Sequence, residues 1–367
     1  MRPFRRVRQL AAISLSACML VTSSGCWDSR DVDNRMLVGS IGIEDIDDEN
    51  LKVWFRVPIT SSTSSNDKDS SFTASARGVT VMDAINRVQY KLSKSLDVSS
   101  TRAVLMNMKT ARVGLLPYLE FAIRDRSVPL DAVVAIIDGD MAPLFTRKNP
   151  IGELSGIYTK LYFEPYAGGI PRKNKTTLWE IYSKFLNPTH ANLVPVLKDD
   201  KESLFTQIGN AYFNGDKYAG MITMDESLIY EMITERLADT EIMLMSRSDI
   251  KVVHKKTKVH TKLENGKPII NVVIWVAISL TDKSQNKGVT TEEDIKRELD
   301  GELHRLARSL TKKTQKAGTD IVGFGNRFRG RMHPNDYDKW PDMYRNAEIN
   351  YKFHIRLRNS GLEFLEQ

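Results

Sequence analysis

AEINYKFHIRLR, residues 347–358, alternates without a break. Ala347, Ile349, Tyr351, Phe353, Ile355 and Leu357 fall on one side; Glu348, Asn350, Lys352, His354, Arg356 and Arg358 fall on the other. Successive side chains of a strand point to opposite faces, so this period of two predicts a strand with one face buried and one wet. Such a strand needs a sheet to join and an apolar layer to pack against, and the preceding sequence offers both. Lys251–Leu263 and Pro268–Leu280 flank Asn265-Gly266, the strongest short hairpin signal. Ile270, Val272, Ile274, Val276, Ile278 and Leu280 share one face of the second arm; Val273 and Trp275 lie on the other, which predicts that it too is largely covered. Thr290 and Glu293 fit a capping box. Ile295, Leu299, Leu303, Leu306 and Leu310 then recur at helical spacing to near Gln315, with Gly318 as the stop. That helix should lie on the sheet.

Towards the N-terminus, Met36–Ile43 and Leu51–Ile59 read as strands around the acidic turn EDIDDEN. As a calcium loop starting at Asp45, this segment would place Asn50 where glycine is needed and Arg56 where the bidentate glutamate belongs, so it reads as a solvated turn. Thr60–Ser71 is polar and without period, a loop. Thr80 caps a helix striped by Met82, Ile85, Val88 and Leu92. Ala103–Met108 and Ala132–Ile137 are apolar strands; between them a helix spans about Gly114–Arg124, with Pro117 in its first turn. Thr176–Phe185 is a helix stopped before Asn187-Pro188, and Pro195–Lys201 reads as a linker. A second unit opens near Phe205 with GNAYFNGDKYAGMI, a hairpin about Asn214-Gly215. Thr223 and Glu226 form a capping box for a helix running to about Arg236. Strands and helices in this succession predict an α+β (mixed α/β) protein of several lobes, each a β-sheet flanked by helices.

The 367-residue chain carries a formal charge of +7, and its head explains much of that. Arg2, Arg5, Arg6 and Arg8 precede the apolar, small-residue-rich run Leu10–Val21, and no acid occurs before Asp28. These are the parts of an export signal, and the run is short for a transmembrane helix. Cleavage after Gly25 removes four arginines and leaves 49 basic against 46 acidic residues, a net +3. The compositional case for nucleic-acid binding goes with them. Cys18 would leave with the signal, and Cys26 would become the N-terminal residue, the chain's single remaining thiol. No disulfide or cysteine metal site is then possible, but a diacylglyceryl thioether is, and two acyl chains anchor stably where one would not. Ser23 stands where such signals usually carry Leu, Val or Ile. Leu15-Ser16-Ala17-Cys18 fits that local pattern better but leaves a very short apolar run, and an ordinary secretory peptide or uncleaved anchor is the third reading.

The sequence offers little chemistry. Histidines 190, 254, 260, 304, 333 and 354 show no ligand spacing. No GxSxG or Walker GK[ST] occurs, and Gly323-Phe324-Gly325 lacks the third glycine of a dinucleotide loop, Phe328 standing in its place. No catalytic residue, metal or cofactor is assigned. Two basic features remain: Arg327, Arg329 and Arg331, and Lys352, Arg356 and Arg358 on the wet face of the last strand. Each reads as a solvated face or as a contact for anionic headgroups or an acidic partner.

Gly25-Cys26-Trp27-Asp28, followed by Arg30-Asp31, resembles the start of mature spore-germination lipoproteins of the Ger(x)C family, whose pattern is close to GCWDxRE; Asp31 stands where Glu is usual. Lys316, Gly318, DIVGFG at 320–325, Trp340 and the strand Ile349–Leu357 ending at Gly361 resemble that family's C-terminal domain, and Asn210–Gly220 resembles its opening. The resemblance implies a signal peptide over 1–25, an N-terminal domain over 26–200 and a C-terminal domain over 201–367. It implies a non-enzymatic lipoprotein subunit of a nutrient germinant receptor, lipidated at Cys26 and held on the outer face of the spore inner membrane beside two integral membrane subunits. Direct binding of a small-molecule germinant is left open. Trp27 would lie in the headgroup belt or pack on its own domain; Asp28 and Arg30 would lie near it. Gly323 and Gly325 would serve a tight turn, with Phe324 in the core. Two other readings compete. A lipid-anchored solute-binding protein of a transporter predicts two similar lobes about a ligand cleft, and an envelope hydrolase predicts an acidic or nucleophilic cleft.

Overall fold

The computed structural model describes residues 34–47, 50–59, 71–124, 128–148, 155–163, 175–234, 241–244, 248–283 and 291–359. The signal region, Cys26, Trp27, Asp28 and Arg30 lie outside them, as do most of the Thr60–Ser71 segment, Arg236, Thr290 and Gly361. In chain order the N-terminal elements are β1 (Arg35–Leu37), β2 (Ser40–Asp45), β3 (Leu51–Pro58), β4 (Ser71–Gly78), α1 (Val81–Gln89), β5 (Ser95–Asp97), β6 (Ala103–Asn107), α2 (Met108–Val113), α3 (Leu116–Arg124), β7 (Val133–Asp138), α4 (Ala142–Thr146), α5 (Ser155–Phe163), α6 (Leu178–Phe185), β8 (Leu193–Asp199), β9 (Phe205–Asn214) and β10 (Lys217–Thr223). Eight strands form one mixed sheet in the order β10-β9-β8-β7-β6-β2-β3-β4, and β1 and β5 form a small parallel pair. The central β2, β6, β7 and β8 run parallel, which requires crossovers; α2 and α3 supply the one from β6 to β7, and α4, α5 and α6 lie in the one from β7 to β8.

Both faces of this sheet are covered, which is why the central strands are apolar runs instead of alternating ones. Val104, Met106, Val134 and Ile136 point into a core shared with α1, α3 and α6. Ala103, Leu105, Val133, Ala135 and Ile137 point into a second core under α4 and α5. Two expectations need correction here, and one strand is unexpected. The segment Pro195–Lys201 is not a linker: it belongs to β8, an interior strand. Pro195 is tolerated because the ladder to β7 begins only at Val196, so its missing amide hydrogen costs no bond on that side. Thr80 does cap α1, accepting from the Asp83 N–H at 3.0 Å. The helix then buries Val81, Ala84, Ile85 and Val88, and Met82 lies outside that stripe, exposed. The edge strand β4, SFTASARG, alternates only Phe72 and two alanines with polar residues, a signal weaker than that of the other strands, and the sequence alone does not assign it.

The remaining elements are α7 (Met224–Thr234), β11 (Glu241–Leu244), β12 (Ser248–Glu264), β13 (Lys267–Lys283), α8 (Glu292–Ala317), α9 (Trp340–Arg345) and β14 (Glu348–Asn359). The sheet order is β11-β12-β13-β14. Asn265 and Gly266, with φ of 49° and 78°, close the long hairpin as a turn needing two left-handed residues. β14 runs parallel to β13, so the chain between them must cross over, and α8 does so. Ile270, Val272, Ile274, Val276 and Ile278 meet Leu228, Ile229 and Met232 of α7 and Ile295, Leu299, Leu303, Leu306 and Leu310 of α8. The same core takes in Leu193 of β8, Tyr212 of β9 and Ile222 of β10. β9, placed by the sequence in the second unit, thus pairs with β8 of the first sheet and carries β10 at its other edge, and both also contact the second core. The chain is a mixed α/β protein with several sheets flanked by helices.

Two further readings shift. The capping box of α8 is Thr291 with Asp294, one residue later than expected: the Asp294 N–H donates to Thr291 Oγ1 at 3.2 Å and the Thr291 N–H to Asp294 Oδ2 at 3.3 Å. The second face of β13 is not covered: Trp275 is 36% exposed and Asn271 is exposed. At α7 the box is as read. The Glu226 N–H donates to Thr223 Oγ1 at 3.2 Å and the Thr223 N–H to Glu226 Oε2 at 2.8 Å. Glu226 also joins α7 to α8, accepting from Lys313 Nζ at 2.7 Å and Ser309 Oγ at 2.6 Å. Burial alone would raise its pKa; the bonds from Lys313, Ser309 and Thr223 outweigh burial and hold it below the usual range. A lowered native pKa contributes stability above the ordinary carboxyl value that is lost on acidification. Glu226→Gln should therefore cost about 1–3 kcal/mol at pH 7, and its deficit should shrink as pH falls below about 4.5. Urea unfolding of both proteins at several pH values measures this, and a deficit independent of pH would contradict it.

Candidate functional site

The sequence singles out Gly323, Phe324, Gly325 and Trp340, and the structure brings all four around one residue it did not single out, Asp320. Helix α8 ends on Gly318 in the left-handed region, φ 67°, and the chain then winds around the Asp320 carboxylate. The Gly323 N–H donates to Oδ1 at 2.9 Å; the Gly325 N–H and the Trp340 indole N–H donate to Oδ2 at 2.8 Å and 3.0 Å. Phe324 and Trp340 are buried, as expected of Phe324, and Phe328 packs on the Trp340 ring at 5.1 Å. The glycines serve close approach. Gly323 has φ 76°, and a Cβ there would fall 2.8 Å from the His190 ring; a Cβ at Gly325 would fall 2.6 Å from the Trp340 indole and 2.8 Å from Thr189.

This turn is also the joint between the two halves of the chain. The Asp320 carbonyl accepts from the Ala191 N–H at 2.8 Å, and a His190 ring nitrogen lies 3.1 Å from the Ile321 carbonyl. Asn326 Oδ1 accepts from Asn187 at 3.0 Å and from Thr189 Oγ1 at 2.8 Å. Arg329 donates to Asn187 Oδ1 at 2.8 Å and Thr189 Oγ1 at 3.2 Å while its guanidinium lies 4.8 Å from the Tyr337 ring. The segment Asn187-Pro188-Thr189-His190, which leads from α6 into β8, thus closes on the turn after α8. Beside it opens a cavity of about 580 Å³ lined by His190, Tyr230, Thr257, Val259, Gly323 and Arg327, among others.

Burial pushes the Asp320 carboxyl up to about 6, against the lowering effect of its backbone and indole donors. It is ionised at neutral pH, with both oxygens occupied by N–H groups of its own chain. A carboxylate so enclosed holds a backbone turn; it has no route to substrate. The other basic residues separate. Arg327 lines the cavity, Arg329 belongs to the joint, and Arg331 donates to Thr261 Oγ1 at 2.9 Å. Lys352, Arg356 and Arg358 lie exposed on the outer face of β14. The histidines disperse: His190 at the joint, His304 against Phe353 at 4.9 Å, His333 over a turn, and His254, His260 and His354 on the outer sheet face. Among the described residues no group of three His, Cys, Asp or Glu could hold a metal ion.

Two family descriptions match the chain end to end: a spore germination protein N-terminal domain over residues 28–199, and a spore germination B3/GerAC-like C-terminal domain over residues 208–361. The chain belongs to the spore germination GerAC/B3/KC family. Spore germination protein B3 of Bacillus subtilis (strain 168) is 20% identical, over 97% of this chain and 99% of that one. Spore germination protein KC of the same organism is 21% identical, over 97% of each. The crystal structure of the GerBC protein superposes with a TM-score of 0.54 at 17% identity, over 86% of this chain and 96% of that one, which speaks to the fold. Within this GerAC-family chain, Asn187–His190 falls in the N-terminal match and Asp320–Trp340 in the C-terminal one, so the joint is one place where the two matched regions meet, the β8–β9 pairing being another. No helix of the described residues is long and apolar enough to cross a membrane.

Proposed function

We propose that this GerAC-family chain is the lipid-anchored subunit of a nutrient germinant receptor, tethered through a diacylglyceryl group on Cys26 to the outer face of the spore inner membrane, and that it acts by contact with two integral membrane subunits. The observation that carries this reading is the correspondence to spore germination proteins along essentially the whole chain, joined to Gly25-Cys26 standing after an export-type segment and just before the first matched residue, Asp28. Trp27, Asp28 and Arg30 then lie next to the headgroups. A tether raises the effective concentration of the folded body at its membrane partners, so individually weak contacts suffice. No bond-making chemistry is assigned to it: the most buried carboxylate of the family motif, Asp320, is spent on holding its own backbone. The two sheets differ in strand number and order, which weighs against a solute-binding protein of two similar lobes.

The test is Cys26→Ala in spores, with Cys18→Ala as control. Cys26→Ala should move the protein out of the inner-membrane fraction or lead to its degradation, and responses to specific nutrients should fall while nutrient-independent germination persists. Retention of Cys26→Ala at the membrane with release of Cys18→Ala would overturn the assignment of the anchor.

A further inference from the structure

The outer face of the β12-β13-β14 sheet is turned to solvent, and lysine, arginine and histidine dominate the β12 and β14 rows of it. In register across it lie His254, Lys256, Lys258 and His260 of β12, Ala277, Trp275, Val273 and Asn271 of β13, and Arg356, His354, Lys352 and Asn350 of β14. Every one of the β12 and β14 residues in these rows is exposed. At the centre stands Trp275, 36% exposed, stacked on His354 with ring centroids 5.5 Å apart and an interplanar angle of 13°, with Lys258 Nζ 5.8 Å from its ring. No acid occurs in these rows; Glu264 pairs with Lys262 and Glu348 with Lys267 at the hairpin end, and Asp249 and Asp282 stand opposite each other at the far end of the strands. Among the described residues no carboxylate pairs with Lys256, Lys258, Lys352, Arg356 or Arg358. The opposite face of the same strands is the core against α7 and α8, so folding has no further use for this side.

We propose that this face is a membrane-docking surface for anionic phospholipid headgroups. Long flexible cations around an amphipathic indole, on an open sheet face, match a plane of phosphates into which an indole can partition. Chain length agrees. Seven residues lie between Cys26 and Asn34, the first described residue, and the eight Cα–Cα steps fully extended span at most about 29 Å. A body tethered there stays within reach of the bilayer, and the basic face would fix its orientation. The choice of a lipid surface rests on the anchored reading above. The contact itself needs no acyl chain.

The test therefore uses unlipidated protein carrying Cys26→Ala. Its co-flotation is measured with vesicles of phosphatidylglycerol and phosphatidylcholine, and with phosphatidylcholine alone. We expect binding to the anionic vesicles only, lost when salt is raised from about 0.1 to about 0.5 M. Lys256→Glu/Lys258→Glu/Arg356→Glu should lower the affinity about 100-fold or more, and Trp275→Ala less, each with unchanged thermal unfolding. Equal binding to both vesicle types, or no loss in the triple variant, overturns the proposal. So does absent vesicle binding by a protein whose triple variant fails to assemble with the membrane subunits in spores, an outcome that assigns the face to an acidic protein. Each of these results leaves the Cys26 tether standing.

Discussion

Asp320→Ala should destabilise the protein by about 3–5 kcal/mol, enough to leave much of the chain unfolded or degraded at physiological temperature. The substitution removes one small side chain, but it strands the N–H groups of Gly323 and Gly325 and the Trp340 indole N–H in a place water does not reach. Each buried unmatched donor costs about 1–3 kcal/mol. Asp320→Asn separates the contributions. Its amide oxygen can take the two donors now on Oδ2 if its NH₂ faces the Gly323 N–H, so one bond is lost and the cost should be about 1–2 kcal/mol at pH 7. The pH dependence runs opposite to that of Glu226. The Asp320 pKa is raised, to about 6, by burial, so between the ordinary carboxyl value and 6 the folded chain binds a proton that the unfolded chain has released. Its stability contribution rises as pH falls through that window. The Asp320→Asn deficit should therefore widen from pH 7 to pH 4, as read by urea unfolding. A deficit that narrows on acidification would mean that the donors, and not burial, set the carboxyl's titration.

Trp340→Ala should cost a similar amount, about 3–5 kcal/mol. The ring is 1% exposed, packs on Phe328, and covers Gly325 so closely that no Cβ fits between them. Trp340→Phe keeps most of the packing and loses only the indole donor to Asp320, so about 1–2 kcal/mol is expected. Because Asp320 and Trp340 share a bond, the double Asp320→Ala/Trp340→Ala variant should be less destabilised than the sum of the singles. Strict additivity would show that the two residues act independently and would remove the joint as a unit.

Much of this was legible in the sequence where one physical requirement dominates. The alternation of 347–358 marks β14 because one face meets a core and the other meets water. The leucines of α8 recur at helical spacing because the helix lies on that core, and Asn265-Gly266 is the turn its geometry demands. Legibility failed where two requirements overlap. Pro195 reads as a linker residue, and only the offset between β8 and β7 shows why a sheet interior admits it. Trp275 and Val273 look like a second buried face, yet the rows beside them are lysine, histidine and arginine on neighbouring strands, which a single strand's pattern does not display. Gly323, Phe324, Gly325 and Trp340 are legible as a motif. Asp320 heads the same DIVGFG run, and an aspartate three residues before a glycine is a known turn former, but the run alone does not show that the carboxylate organises all four. The segment Asn187–Ala191 that closes on this turn is over a hundred residues away in sequence, and no local pattern links them.

The most direct measurement is intact-mass and peptide mass spectrometry of the mature protein isolated from spore inner membranes. An amino-terminal Cys26 carrying a diacylglyceryl thioether is the predicted result. A mature chain that begins elsewhere, or that begins at Cys26 with a free thiol, would contradict the tether on which the proposed function depends.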